Sequence, residues 1–76
     1  MPKKKYQFEC FGVELSLSIG ESFTDEEGDN VKVCKYSKVS PIMEHLYISI
    51  NKGVWFTLER GQRIKNGKVH SDFEII

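Results

Sequence analysis

The sequence predicts a small all-β domain. Apolar and polar residues alternate in several short runs, and this period of two is typical of half-buried strands. Turn signals that contain glycine separate the runs, and Asn66-Gly67 is the strongest of them. The helical period has almost no support. Strands this short must stack in two layers or curl up to bury one face, so we expect five or six antiparallel strands in meander order, forming a barrel or a two-layer sandwich.

The length indicates one domain. A chain of 76 residues buries only about 60% of its unfolded surface. Such a core has no room for a deep enclosed active site. Residues 1–5 form a basic tail with three consecutive lysines, and residues 6–76 are predicted to form the domain.

The first hairpin is predicted within Tyr6–Ile19. The parity of the apolar residues reverses around Phe11-Gly12, as a two-residue turn requires. A continuous strand with a bulge at Gly12 is the alternative, because Phe-Gly suits a type I′ turn less well than Asn-Gly does. The turn predicts these facing pairs: Cys10 with Val13, Phe8 with Leu15, and Tyr6 with Leu17.

An acidic loop and a lysine-bearing strand follow. Residues 20–30 are rich in carboxylates, but a calcium loop that started at Asp25 would place Tyr36 where a glutamate is needed. We therefore expect a solvated loop. Val31–Val39 predicts a bulged strand, and its lysines favour a sheet edge. Ser40-Pro41 then predicts a corner with one helical turn.

The central hairpin is predicted within Leu46–Glu59, the most apolar part of the chain. Its connection is Asn51-Lys52-Gly53, in which we expect a type I turn followed by a left-handed glycine. The resulting pairs share one face that should be core: Ile50 with Val54, Ile48 with Phe56, and Leu46 with Leu58.

The opposite face of this hairpin carries two large aromatic residues, Tyr47 and Trp55. Either a second small core covers them, or they form an exposed amphipathic patch, which usually marks an interface on a monomer this small. Downstream, Asn66-Gly67 predicts a projecting basic ribbon, and residues 73–76 should form a strand that docks back onto the sheet. The candidate partner-binding residues are Tyr47, Trp55, Arg60, Arg63, Lys65 and Lys68.

The charges are segregated along the chain although the formal net charge is zero. Seven acids and no lysine or arginine lie between Tyr6 and Val31, whereas four bases and no acid lie from Arg60 to His70. Such a domain presents one electronegative and one electropositive region, unless folding brings the two together. Homodimerisation through these ends is one hypothesis.

The residues show no catalytic or metal-binding pattern. There is no nucleophile elbow, phosphate loop or HExxH motif. Cys10 and Cys34 are expected to be free thiols, with a disulfide as the alternative in an oxidising compartment. Neither His45 nor His70 pairs with a cysteine at zinc-site spacing. We expect no enzyme activity, cofactor, metal or membrane partner, and the start lacks a secretory signal, which predicts a cytoplasmic location.

Two functions compete. The first is a protein-binding module, such as an inhibitor or a regulatory accessory protein of the virus or mobile-element type, that docks through the aromatic face or an edge strand. The alternative is a small nucleic-acid-binding barrel that stacks bases on Tyr47 and Trp55 beside the basic ribbon. Zero net charge and the acidic stretch weigh against the second.

Overall fold

The protein is an all-β, sandwich-like domain, as predicted. The computed structural model describes residues 4–61 and 63–76, and for residues 63–65 it describes only the backbone. The strands of the described residues are β1 (Tyr6–Cys10), β2 (Val13–Leu17), β3 (Ser22–Thr24), β4 (Asn30–Ser40), β5 (Met43–Ile50), β6 (Val54–Gly61), β7 (Arg63–Lys65), β8 (Lys68–His70) and β9 (Phe73–Ile75). Antiparallel pairing forms a three-stranded sheet of order β2-β1-β9, a four-stranded sheet of order β3-β4-β5-β6 and a separate hairpin β7-β8. These described strands do not close into a barrel.

The β1–β2 hairpin has the predicted register. Cys10 lies opposite Val13, and the pairs further out follow in step. Phe11 and Gly12 both have positive φ, 52° and 73°, which is the backbone of a type I′ turn. The two-residue turn is therefore correct, and the alternative of a bulged continuous strand is wrong.

The β5–β6 hairpin also has the predicted register, with Ile50 opposite Val54. Its turn differs from the prediction. Asn51 and Lys52 take positive φ, 51° and 62°, in place of Gly53. The reason is tertiary: the Asn51 side-chain oxygen accepts a hydrogen bond from the Asn30 amide at 2.7 Å, and asparagine tolerates the left-handed region better than most residues.

The core lies between the two larger sheets. Its largest fully buried side chains are Phe73, Leu46, Val31 and Val33. The three-stranded sheet contributes Phe73 to this core, because β9 returns to pair with β1 as predicted. Buried apolar area of this kind stabilises a fold by about 25 cal/mol per Å².

Strand β4 has a register shift between Val33 and Lys35, which is the predicted bulge. It lies between β3 and β5 over Asn30–Lys32, so its first part is internal to the sheet. The predicted edge position therefore fails for that part. Cys34 lies at the bulge, and both cysteines are free thiols as predicted.

The predicted helical turn after Ser40 is absent. Strand pairing continues to Ser40 opposite Met43, so the corner is a tight turn through Pro41 and Ile42. A proline in such a turn needs no ladder hydrogen bond. The corner packs against β6 at Gly61, whose φ is 126° and where an added Cβ would collide with the Ile42 carbonyl oxygen.

The Asn66-Gly67 hairpin forms as predicted. Both turn residues have positive φ, 53° and 76°. The backbone of Lys65 pairs with Lys68, and that of Arg63 pairs with His70.

Candidate functional site

Strand β6 exposes large apolar side chains on both of its faces. Val54 is 54% exposed, Trp55 is 64% exposed and Phe56 is 50% exposed. Trp55 projects away from the core face, as the alternation predicts. The prediction that Val54 and Phe56 belong to the core is wrong. The core covers their partners Ile50 and Ile48 on β5 and reaches Leu58 further along β6, but it does not cover the first residues of β6.

The outer edge of β6 is the second feature of the site. The Glu59 amide donates to Asp72 Oδ2 at 2.9 Å, and the Asp72 amide donates to the Glu59 carbonyl at 2.7 Å, so the Glu59 backbone points away from β5. Backbone groups alternate between the two sides of an antiparallel strand. The amides and carbonyls of Trp55 and Thr57 therefore point the same way, along the edge where the strand order of this sheet ends.

An apolar cleft of about 490 Å³ adjoins β6. Phe56 and Val54 form one wall, and Phe11 and Cys10 contribute from the β1–β2 hairpin. Its lining also includes the carboxylate of Glu9. In this cleft, Val54 and Phe56 have the sequence pattern of core residues but are open to solvent.

Phe11 combines exposure with an unfavourable backbone. It is 56% exposed and adopts φ 52°, a region that a bulky residue rarely enters. Asparagine or glycine usually occupies this position of a type I′ turn. Strained residues that persist in a fold concentrate at functional sites. The exposed ring is therefore a strong candidate for a binding contact.

A second cleft, of about 550 Å³, lies on the other side of Phe11. Phe23 and Val13 supply further apolar surface, both exposed. Its remaining lining is the start of the β3–β4 turn, which includes the carboxylates of Asp25, Glu26 and Glu27. Of the side chains described by the structure, no lysine or arginine lines this cleft or the first.

Hydrogen bonds within the β3–β4 turn fix the position of these acids. Asp25 Oδ1 accepts the backbone amides of Glu27 and Asp29, each at 2.9 Å. Carboxylate oxygens of Asp25, Glu27 and Asp29 lie within 4.8 Å of one another, the set of acids here best placed to hold a cation. The side chains are half-buried or exposed, and their arrangement concentrates negative charge beside Phe23.

The outer face of the four-stranded sheet carries the two predicted aromatic residues. Tyr47 is half-buried, with its ring 6.2 Å from the His45 ring and 6.0 Å from Lys35 Nζ. Trp55 lies opposite Ser49, one row further along the same face. The structure thus places Tyr47 and Trp55 on one face, with Lys35 beside Tyr47.

Arg60, predicted to bind a partner, projects from the opposite face of β6. Its guanidinium lies 2.5 Å from Glu44 and 3.2 Å from Glu74, and these hydrogen bonds raise its pKa. Tyr36 donates a hydrogen bond to the same Glu44 carboxylate. This bond and Arg60 lower the pKa of Glu44, against the effect of its burial. Arg60 is thus held in an internal network.

The remaining predicted cations belong to the β7–β8 hairpin. Lys68 is exposed on β8. The side chains of Arg63 and Lys65 lie outside the part of the chain that the structure describes, so the predicted basic ribbon is defined there only by its backbone.

Sequence reasoning did not select Phe11, Phe23, Val54 or Phe56 as site residues. For Phe11 a signal was present, since phenylalanine stands where a type I′ turn favours asparagine. For Val54 and Phe56 there was none, because their alternation is that of buried strand residues.

Comparisons with known proteins return no relative. No protein-family model, curated protein or solved structure matches the chain. In the described ranges, no helix could cross a membrane. The function must therefore be argued from the geometry of β6 and its surroundings.

Proposed function

We propose that this chain is a small, non-enzymatic protein-binding module whose partner adds an extended segment to the edge of β6. One observation carries the proposal: Val54, Trp55 and Phe56 are each at least half exposed on a strand that ends its sheet. Natural sheets usually protect such edges with charges, proline or bulges, because an open apolar edge recruits other strands.

The geometry fits strand addition. Trp55 and Thr57 offer amide donors and carbonyl acceptors along the edge, which give a bound strand its affinity. Alternate side chains of that strand would project over the cleft beside Phe56 or over the outer face beside Trp55. Tryptophan and tyrosine are also frequent among residues that dominate binding energy. A regulatory or inhibitory role suits a small domain that offers a binding edge on β6.

A matched pair of variants tests the edge. Thr57→Pro removes an outward-pointing amide and introduces a residue that edge strands accept, whereas Thr57→Val keeps the amide. We expect a tagged wild-type chain and Thr57→Val to capture the same partner from cells of the source organism, and Thr57→Pro to lose it. Circular dichroism verifies that each variant is folded.

The purified partner then locates the contact. Hydrogen exchange should slow at the amides of Trp55 and Thr57 on binding. Partner capture by Thr57→Pro at wild-type affinity, or protection confined to other strands, would contradict the proposal.

Nucleic-acid binding is a second candidate, supported by the outer face. There Tyr47 lies near Lys35 and shares its face with Trp55, and aromatic rings beside cations form stacking platforms for single strands. The acidic turn and zero net charge oppose it. Titration with labelled single-stranded DNA and RNA at two salt concentrations decides: micromolar binding that weakens steeply with salt would favour this function over the first.

A further inference from the structure

The first cleft, beside β6, and the second, beside the β3–β4 turn, meet at Phe11. Phe11 contributes to the lining of both. Cys10 in the first cleft is also close enough to Asp25 in the second to interact with its charge. Burial raises the pKa of the Cys10 thiol, and the negative charge of Asp25 raises it further. A ligand strand that pairs with β6 could therefore reach the acidic β3–β4 turn.

We propose that the segment added to β6 is an extended peptide of a partner protein, apolar at alternate positions and basic at its C-terminal end. This proposal rests on the proposed function and specifies the chemistry of its partner. The alternate apolar side chains occupy the cleft between Phe56 and Phe11. The basic end lies against the carboxylates of the β3–β4 turn.

Charge complementarity is the argument for a basic end. Asp25, Glu26 and Glu27 contribute to the lining of one cleft and Glu9 to that of the other, and among the side chains that the structure describes neither lining contains a cation. Arranged charges of one sign select a partner of the other sign and speed its approach. Phe11 and Phe23 flank the acids, so the aliphatic stem of a lysine or arginine can pack on a ring while its head group meets a carboxylate.

The orientation follows from the hairpin turn. Asn51, just before β6, binds the Asn30 amide at 2.7 Å and donates to Asp29 Oδ1 at 3.1 Å. The acidic turn therefore lies at the end of the sheet where β6 begins. Antiparallel pairs are the commoner kind, and an antiparallel ligand has its C-terminal end there.

A second copy of this chain is a weaker occupant, although its own β6 is apolar and leads into a basic stretch. The Arg60 guanidinium is already bound to Glu44 and Glu74. The edge of β6 at Glu59 is occupied by Asp72. A dimer that paired two copies of β6 along their length would have to displace these contacts.

Three synthetic peptides test the proposal on the whole chain. Each begins Val-Thr-Ile-Thr-Val, and they end in Lys-Arg-Lys, in Ser-Gln-Ser or in Glu-Asp-Glu. Trp55 is the sole tryptophan of the chain and lies on the target strand, so its emission reports binding. We expect the basic peptide to bind with a blue shift, about tenfold more tightly than the neutral one, and the acidic peptide to be weakest.

Paired variants of the turn identify the acids. Glu26→Gln/Glu27→Gln removes two charges, whereas Glu26→Asp/Glu27→Asp keeps them. Exposed ion pairs are worth about 0.2–1 kcal/mol each, so two of them correspond to about two- to thirtyfold in affinity. The neutral variant should therefore lose at least about twofold, and at most the full preference of about tenfold, for the basic peptide and nothing for the neutral peptide. The aspartate variant should bind as wild type does.

The outcomes distinguish failure of the basic-peptide inference from failure of the proposed function, which is strand binding at the edge of β6. Equal affinity for the basic and neutral peptides would overturn the basic end and leave edge binding intact. Failure of all three peptides at millimolar concentration would overturn the inference, while capture of the cellular partner tests the function independently. A concentration-dependent dimer on a sizing column that Thr57→Pro abolishes would show that a second copy of the chain is the occupant. Quenching of Trp55 by single-stranded DNA, with no response to any of the three peptides, would exclude a peptide.

Discussion

Replacing Phe11 by asparagine should separate folding from binding. The ring is 56% exposed, so a little under half of it is removed from water. Full burial of a phenylalanine contributes about 1.5–3 kcal/mol, and this fraction therefore contributes about 1 kcal/mol. Against that loss, left-handed backbone costs an ordinary residue about 1–2 kcal/mol, and asparagine less. The two terms nearly cancel, so the free energy of unfolding should change by less than about 1 kcal/mol.

Urea unfolding followed by circular dichroism measures this change. Phe11→Ala is the matched control, since it loses the ring and keeps most of the strain, and it should be less stable than Phe11→Asn. Both variants should bind the basic peptide at least tenfold more weakly than wild type, because each removes a wall shared by the two clefts. A loss of more than about 3 kcal/mol in Phe11→Asn, typical of a deleted core ring, would show that Phe11 is a packing residue and refute the reasoning.

Two further predictions concern the scaffold. Gly61→Ala should lower the free energy of unfolding in urea by about 3 kcal/mol or more, because its Cβ would meet the Ile42 carbonyl at a left-handed backbone position. Gly28→Ala is the control: its φ is 90° but no atom lies within 4 Å of the added Cβ, so it should lose only about 1 kcal/mol. Equal losses in the two variants would contradict the clash. The hydrogen bond to Glu44, with burial second, raises the pKa of Tyr36 from 10.0 to about 12. Because the folded value is the higher one, the protonated phenol stabilises the fold fully below pH 10.0, and this contribution is lost as the pH rises through about 12. The urea midpoint should fall over that window in wild type and fall less in Tyr36→Phe; parallel curves would contradict the assignment.

Alternation of apolar and polar residues, together with the turn residues, predicted most of the fold. The registers of β1–β2 and β5–β6 followed from alternation, because a slip of one residue moves every apolar side chain to the other face. The Asn66-Gly67 turn followed from the need for positive φ at both central positions. The wrong predictions concern positions where contacts distant in sequence determine the backbone. In the β5–β6 turn, Asn51 and Lys52 have positive φ in place of Gly53, because the Asn51 side chain accepts a hydrogen bond from the amide of Asn30.

For the candidate site, too, some features could be predicted from local pattern and others could not. Alternation predicts that Trp55 lies on the face opposite Val54 and Phe56, but it does not decide whether that face is covered; the exposure of Trp55 is a finding of the structure. The assignment of Arg60 to a binding surface did not anticipate Glu44 and Glu74, which hold it from β5 and β9. An ion pair between three strands is invisible in one sequence, because nothing local indicates which carboxylate faces which cation.

The sequence by itself determined that this chain is antiparallel β, which residues share a face, and that its acids and bases occupy separate stretches. Only the tertiary structure decided which of those faces is covered. Val54 and Phe56 have the same pattern as Ile48 and Ile50. They differ because the core covers Ile48 and Ile50 on β5 but not the first residues of β6. Burial is a property of the layer packed on top, so alternation can name an apolar face and the opposing sheet alone determines whether that face is core or binding surface.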